Sequence, residues 1–241
     1  MPELAPWQWI TGAFCAFAIG VAKTGVPGAG TFVAPAMILM VGDARQAAGW
    51  LLPVLCLADA FAVLYWRRHA DLRQLLRLAP WVLIGMAGGA AALAFNESVL
   101  RKIVAGMILA MLAVYLRGRL RPETAAPPHA SPYGIAAGFS TTVANAAGSV
   151  MNLYLLSMRL PKHEFIGTAA WFFFVINLAK IPIYQFHGLF SRVSLLFDAA
   201  MIPATIAGAV TGRWIFAHIP QRAFEIVVLS LTAVATLALL R

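Results

Sequence analysis

Three ionisable residues stand inside otherwise apolar stretches of this chain: Lys23, Asp59 and Lys180. Charge within a membrane-length apolar run is expensive, so such residues are functional candidates by default. A cation at the centre of a cavity favours an anionic ligand, and a carboxylate beside it either neutralises a lysine or carries a proton. Lys23 opens the stretch Lys23-Thr24-Gly25-Val26-Pro27-Gly28-Ala29-Gly30, followed by Thr31, and a second polar stretch runs Ser140-Thr141-Thr142-Val143-Ala144-Asn145-Ala146-Ala147-Gly148-Ser149. Each interrupts an apolar segment, and each exposes the start of the helix that follows, expected near Gly28 to Thr31 and near Gly148 to Val150. Free N–H groups and the positive end of the dipole at such a start suit an oxyanion. The candidate anion-binding set is therefore Lys23, Thr24, Gly28, Gly30, Thr31, Thr141, Thr142, Asn145, Gly148, Ser149, Asn177 and Lys180, with Asp59 as the coupling residue. The competing structural roles are snorkelling for the lysines, a hydrogen-bonded carboxylate for Asp59, and close helix packing for the glycines, the role expected of Gly85, Gly88, Gly89, Gly208 and Gly212. Asp198, Glu164 and Glu225 fall nearer segment ends, where a boundary role is expected. Trp171, Tyr154 and Tyr184 either line a path or pack.

Composition sets the environment. The 241 residues are 61% hydrophobic and 11% charged, whereas a soluble domain carries charge on about a quarter of its residues. A bilayer core about 30 Å thick takes roughly 20 apolar residues per helix, and such runs fill almost the whole chain. The net charge of +9 comes largely from short clusters such as Arg67, Arg68, Arg73 and Arg77 between apolar runs. That is topology signalling and argues against a nucleic-acid partner. The start of the chain lacks the basic residues and cleavage site of a cleaved signal peptide. Cys15 and Cys56 lie in apolar segments as packing thiols, and the five histidines show no ligand spacing, so neither a metal nor another cofactor is expected. No GxxxxGK[ST], GxSxG or HExxH pattern occurs, and no enzyme is expected.

The apolar segments come in a repeated order. Pro6 to Val41, broken in its middle, is followed by Gln46 to Trp66, Leu76 to Phe95 and Ile103 to Leu116; Pro132 to Met158, also broken, is followed by Phe165 to Phe186, Val193 to Phe216 and Phe224 to Leu240. The expected fold is all-α and integral to the membrane, with a first repeat at 1–117, a polar linker at 118–131 and a second repeat at 132–241. Laid over each other without gaps, the halves pair Gly20 with Gly138, Thr24 with Thr142, Gly30 with Gly148 and Asp59 with Asn177. A shift of one residue lays Gly85-xxx-Gly89 on Ala204-xxx-Gly208 and leaves Gly208-xxx-Gly212 one turn on. If each broken segment is a re-entrant hairpin, each half has three spans, the halves are inverted, and both termini lie outside. Lys and Arg then divide 11 inside to 5 outside, against 9 to 7 for full crossings; the positive-inside rule selects the inverted arrangement. Facing halves would also let Asp59 approach Lys180 as an ion pair.

Gly20-Val-Ala-Lys-Thr-Gly-Val-Pro-Gly-Ala-Gly30 with Pro35 beyond it, Gly138-Phe-Ser-Thr-Thr-Val-Ala-Asn-Ala-Ala-Gly148, the two-half layout and the helix end Tyr65-Trp66-Arg67-Arg68 together resemble the TauE/SafE family of sulfite and organosulfonate exporters, over essentially the whole chain. Lys23-Thr24 departs from the more glycine-dense first break of that family. The resemblance implies secondary transport of a small sulfur-containing anion, chiefly export, by a multi-pass protein of a bacterial inner membrane. Its partners would be the anion and the lipid bilayer, with homo-oligomerisation left open. A passive anion channel shares the same cavity, and an accessory membrane subunit or enzyme is the alternative from another class.

Overall fold

The structure, a computed structural model, describes residues 4–92, 95–120, 129–144 and 146–238; Asn145, the stretch 121–128 and the side chains of Glu97 and Ala144 lie outside the described residues. Within them the chain is helical throughout: α1 (Pro6–Thr24), α2 (Val33–Val41), α3 (Ala44–Trp66), α4 (Leu72–Ala92), α5 (Glu97–Leu120), α6 (Ala130–Ala144), α7 (Ala147–Ser157), α8 (Lys162–Phe186), α9 (Arg192–His218) and α10 (Gln221–Ala238). Six elements are long and apolar enough to cross a bilayer: α3 with the 3-10 turn that extends it to His69, α4, α5 from Ser98, α8, α9 and α10. They coincide with the six unbroken apolar segments. The expected linker shortens, because α5 runs to Leu120 and α6 starts at Ala130.

Local chemistry explains the ends. Asp43 caps α3 by accepting from the Gln46 N–H at 2.7 Å, and Ser191 caps α9 in a reciprocal pair with Ser194 at 3.0 Å. After α2 comes Gly42 with φ +85°, a left-handed turn that a glycine enters without strain. α1 ends because Pro27 has no N–H to return to Lys23 and because Gly28 sits at φ +99°. Lys23 and Thr24 therefore form the last turn of α1 instead of lying in the break. α2 in turn starts at Val33, later than the expected Gly28 to Thr31, since three successive turns intervene: Ala29 N–H to Val26 O, Thr31 N–H to Gly28 O and Val33 N–H to Gly30 O, at 3.0 to 3.1 Å. In the second broken segment α7 starts at Ala147, one residue before the expected site.

The chain divides into two compact units, Met1–Ala70 with Ala169–Pro220 and Asp71–Thr168 with Gln221–Arg241, each drawing helices from both sequence halves. In the first unit α2 folds back along α1: the Gln8 amide donates to Met40 O at 3.0 Å, and the Phe14 and Phe32 rings stack at 5.4 Å. α1 and α9 run side by side in the same direction. Gly12 faces the Phe197 ring, Gly20 the backbone of Thr205 to Ala209, Gly208 the Phe17 carbonyl, and Gly212 the Val21 carbonyl; a Cβ at any of them would collide. α8 runs antiparallel to α3, with Ala62 and Val63 against Ala170.

In the second unit α7 likewise folds back along α6, with Tyr133 and Tyr154 rings 5.3 Å apart and the Tyr133 hydroxyl 3.3 Å from Ser157 Oγ. α6 and α4 run side by side in the same direction: Gly138 faces the Val82 carbonyl, Gly85 the Ile135 carbonyl, and Gly89 the Phe139 carbonyl and Thr142. Gly88, expected to pack, has open space where its Cβ would stand. The Tyr154 hydroxyl donates to Gln74 Oε1 at 2.8 Å, Asn152 Nδ2 reaches Thr232 Oγ1 at 3.4 Å, and Arg119 pairs with Glu225 at 3.5 Å.

Candidate functional site

The first unit gathers four of the sequence-selected residues into one layer. α1 ends level with the later turns of α3, and this brings the Lys23 ammonium to 2.8 Å from Asp59 Oδ1. The other oxygen, Oδ2, accepts from Asn177 Nδ2 at 2.7 Å. Asp59 is fully enclosed, with 0% of its side chain exposed, against 15% for Lys23. Lys180 stands three residues beyond Asn177, on the neighbouring turn of the same face of α8, and is 6% exposed. The ammonium of Lys23 also lies 4.1 Å from the Phe173 ring centroid, an apolar support that still favours a cation. Two lysines and one carboxylate thus share the layer. With all three ionised, its charge sums to one positive unit.

The ion pair given to Asp59 is with Lys23, where sequence matching suggested Lys180. The reason is helix direction: α1 and α3 run in parallel, so the end of α1 and the later turns of α3 come level. Thr24, next to Lys23, is fully buried, and its hydroxyl faces Gly20 O at 2.9 Å and Ala209 O at 2.7 Å, which joins α1 to α9. Its own carbonyl, left free where α1 stops, accepts from the Trp66 indole N–H at 3.1 Å. Gly28, Gly30 and Thr31 follow in the turns between α1 and α2, each partly exposed. Phe173 did not stand out in the sequence, and Trp66 did so only as part of the helix end Tyr65-Trp66-Arg67-Arg68, without a role at the site. The signal for Trp66 was there, in a polar-edged aromatic one residue before Arg67-Arg68.

The remaining candidates belong to the second unit. Thr141 is buried, Ser149 is buried at the first turn of α7, and Gly148 is partly exposed beside it. Thr142 turns its hydroxyl to Gly138 O at 2.9 Å, as Thr24 does to Gly20 O. Among the described residues no side chain caps α7, and Ala146 N–H is taken by Ser140 O at 3.0 Å. Asn145 lies outside the described residues. Among the described residues no group of three or more His, Cys, Asp or Glu could hold a metal ion.

Six bilayer-length apolar helices, two helices broken and folded back, and a charged layer enclosed within apolar packing define a polytopic membrane protein of the transporter class. The chain belongs to the sulfite exporter TauE/SafE family, whose model matches residues 12–239. Members of this family are membrane transporters, not enzymes. No curated protein and no solved structure gives a match.

Proposed function

We propose that this chain is a secondary transporter that exports a small sulfur-containing oxyanion, sulfite or an organosulfonate, across a bacterial inner membrane. The observation that carries this reading is the enclosed layer in which Lys23 and Lys180 share the single carboxylate of Asp59. In such a layer two ammonium groups stand with one carboxylate, and an entering oxyanion is attracted to them. The anion competes with Asp59 for a lysine, while Asn177 holds the carboxylate in place. Thr24, Gly28, Gly30 and Thr31 of the first break stand in the same unit as this layer and contribute to it; in the other unit Thr141, Thr142, Gly148 and Ser149 of the second break, with the N–H groups at the start of α7, are candidate anion contacts by themselves.

An inverted duplication, with repeats at 1–117 and 132–241 about the linker 118–131, supports the transport reading. The glycine contacts of α1 with α9 recur, residue for residue, in those of α6 with α4. Gly20, Val21 and Thr24 correspond to Gly138, Phe139 and Thr142, while Pro203, Gly208 and Gly212 correspond to Pro80, Gly85 and Gly89. This register differs by about one turn from the one-residue shift drawn from sequence. α3 and α8, equivalent under the duplication, run antiparallel and touch at the equivalent residues Asp59 and Asn177. Antiparallel contact of equivalent helices at equivalent residues supports an inverted duplication. Both broken helices fold back, which favours re-entrant hairpins and termini outside.

Purified protein in proteoliposomes tests the function. Saturable sulfite counterflow, lost in Lys23→Met and in Lys180→Met variants that still fold, is the expected result; wild-type liposomes no more permeable to sulfite than empty ones would overturn it.

A further inference from the structure

Asp198 lies at the end of the second turn of α9, a place that sequence position assigns to a span boundary. The structure encloses it: its exposure is 7%, and among the described residues neither Oδ1 nor Oδ2 has a hydrogen-bond partner. Asp59, in the same unit, differs: Oδ2 accepts from Asn177, and Oδ1, itself without a well-aligned hydrogen bond, has the Lys23 ammonium 2.8 Å away as a counter-charge. An ionised carboxylate with no partner in an apolar interior is among the least favourable arrangements a protein can hold. Whenever its surroundings are closed, Asp198 needs either a cation or a proton.

The surroundings distinguish the two. A hard metal cation requires several oxygen ligands. On the Asp198 face of α9 the nearest hydroxyl is that of Ser194, one turn back, and it donates to Ser191 O at 2.9 Å while accepting from Ser191 N–H at 3.0 Å. The hydroxyl of Thr205, two turns on, donates to Met201 O at 3.0 Å. Phe197 beside it packs on Trp9 and Trp50, at ring distances of 5.5 and 5.0 Å. No oxygen cage is present among these groups, so a proton remains.

The charged and titratable groups of the packed elements do not replace it. From α1 come Cys15 and Lys23. From α3 come Arg45 at its exposed start, preceded by the capping Asp43, then Cys56, Asp59 and Tyr65. α9 itself adds Arg192, exposed at its first residue, Arg213 and His218. None is bonded to either Asp198 oxygen. Lys23 lies eleven residues beyond Gly12, the residue that faces Phe197, a displacement of about 16 Å along α1.

We propose that Asp198 is a proton-binding site of the transport cycle, separate from the anion layer, protonated while the start of α9 is packed and deprotonated only when that region opens to water. The proposal rests on the transport reading. The step is a plain transfer: the carboxylate takes a proton from hydronium on the open side, leaving water, and returns it to water when it next opens. Because α1 and α9 are locked together by their glycine contacts, opening at Asp198 moves the helix that carries Lys23.

Two measurements on the full-length wild type and on Asp198→Asn test it. Difference infrared spectroscopy should show a protonated-carboxyl C=O band at neutral pH that is missing from Asp198→Asn and reappears, shifted, in Asp198→Glu. In proteoliposomes Asp198→Asn should keep sulfite counterflow and lose accumulation driven by an imposed pH gradient. A band that survives in Asp198→Asn, or gradient-driven accumulation that survives there, overturns the proposal. Should wild type move no sulfite under any gradient, the transport reading fails, and the infrared band, read on wild type through a pH titration, still decides whether Asp198 is protonated. If Asp198→Asn fails to fold, that titration together with Asp198→Glu carries the test.

Discussion

Breaking the Lys23–Asp59 pair separates a transport site from a structural brace. Lys23→Met leaves Asp59, 0% exposed, with Asn177 on Oδ2 and its Oδ1 partner gone. Removing one member of a buried pair destabilises by roughly 3–5 kcal/mol, and the 15% exposure of Lys23 places the expected loss toward the lower end, about 3 kcal/mol. Asp59→Asn is milder, about 2 kcal/mol, since Lys23 reaches the partly open edge of the layer and keeps the face of Phe173. The double variant removes both charges and leaves an amide that can still meet Asn177. It should be less destabilised than the sum of the single variants by about 2 kcal/mol. Unfolding of the purified variants in detergent reads these differences, and sulfite counterflow in proteoliposomes reads function. If the anion binds at Lys23, the double variant recovers stability but not flux, because the ammonium at the open edge of the layer is gone even though Lys180 keeps the net charge of the layer unchanged. Recovery of flux along with stability would refute the reasoning and reduce the pair to a helix brace.

Three further outcomes are expected. Gly138→Ala and Gly20→Ala should each destabilise by about 1–3 kcal/mol, because the added methyl meets the backbone of α4 or α9, while Gly88→Ala, facing open space in α4, should stabilise by up to about 1 kcal/mol; thermal unfolding of the three compares them directly. Trp66→Phe strips the Thr24 carbonyl of its indole donor and should cost about 1–3 kcal/mol, read by unfolding, with a fall in counterflow since Lys23 is anchored beside it. Reporter fusions after Arg241 and within the turn at Arg67 to His69 should report opposite sides of the membrane, the latter cytoplasmic; a cytoplasmic carboxy terminus would remove the inverted arrangement.

The six spans were legible because bilayer thickness imposes a length and an apolar composition that any stretch of chain must display by itself. The breaks were legible for a related reason: Pro27 and Gly28 cannot continue α1, and the polar run from Ser140 to Ser149 brackets the interruption after Ala144, although Ser140 to Ala144 still belong to α6. Lys23, Asp59, Asn177 and Lys180 stood out as polar groups in apolar runs. Pairing was another matter: equivalence of Asp59 with Asn177 could be read from spacing, but Lys23 as the ion partner could not. Asp198 was expected near a span boundary, and its position close to the start of α9 did not reveal that it is enclosed. Its isolation depends on how α1, α3 and α9 close around it.

The sequence by itself determined the medium, the six unbroken apolar spans and the two interruptions, since each is a property of local composition answering to one solvent. Only the tertiary structure decided the register of α1 on α9 and of α6 on α4, the parallel course of α1 and α3, and hence which lysine meets Asp59 and which carboxyl is left with none. Those outcomes depend on where small residues let two backbones touch, and contact between distant segments leaves no mark within either segment alone.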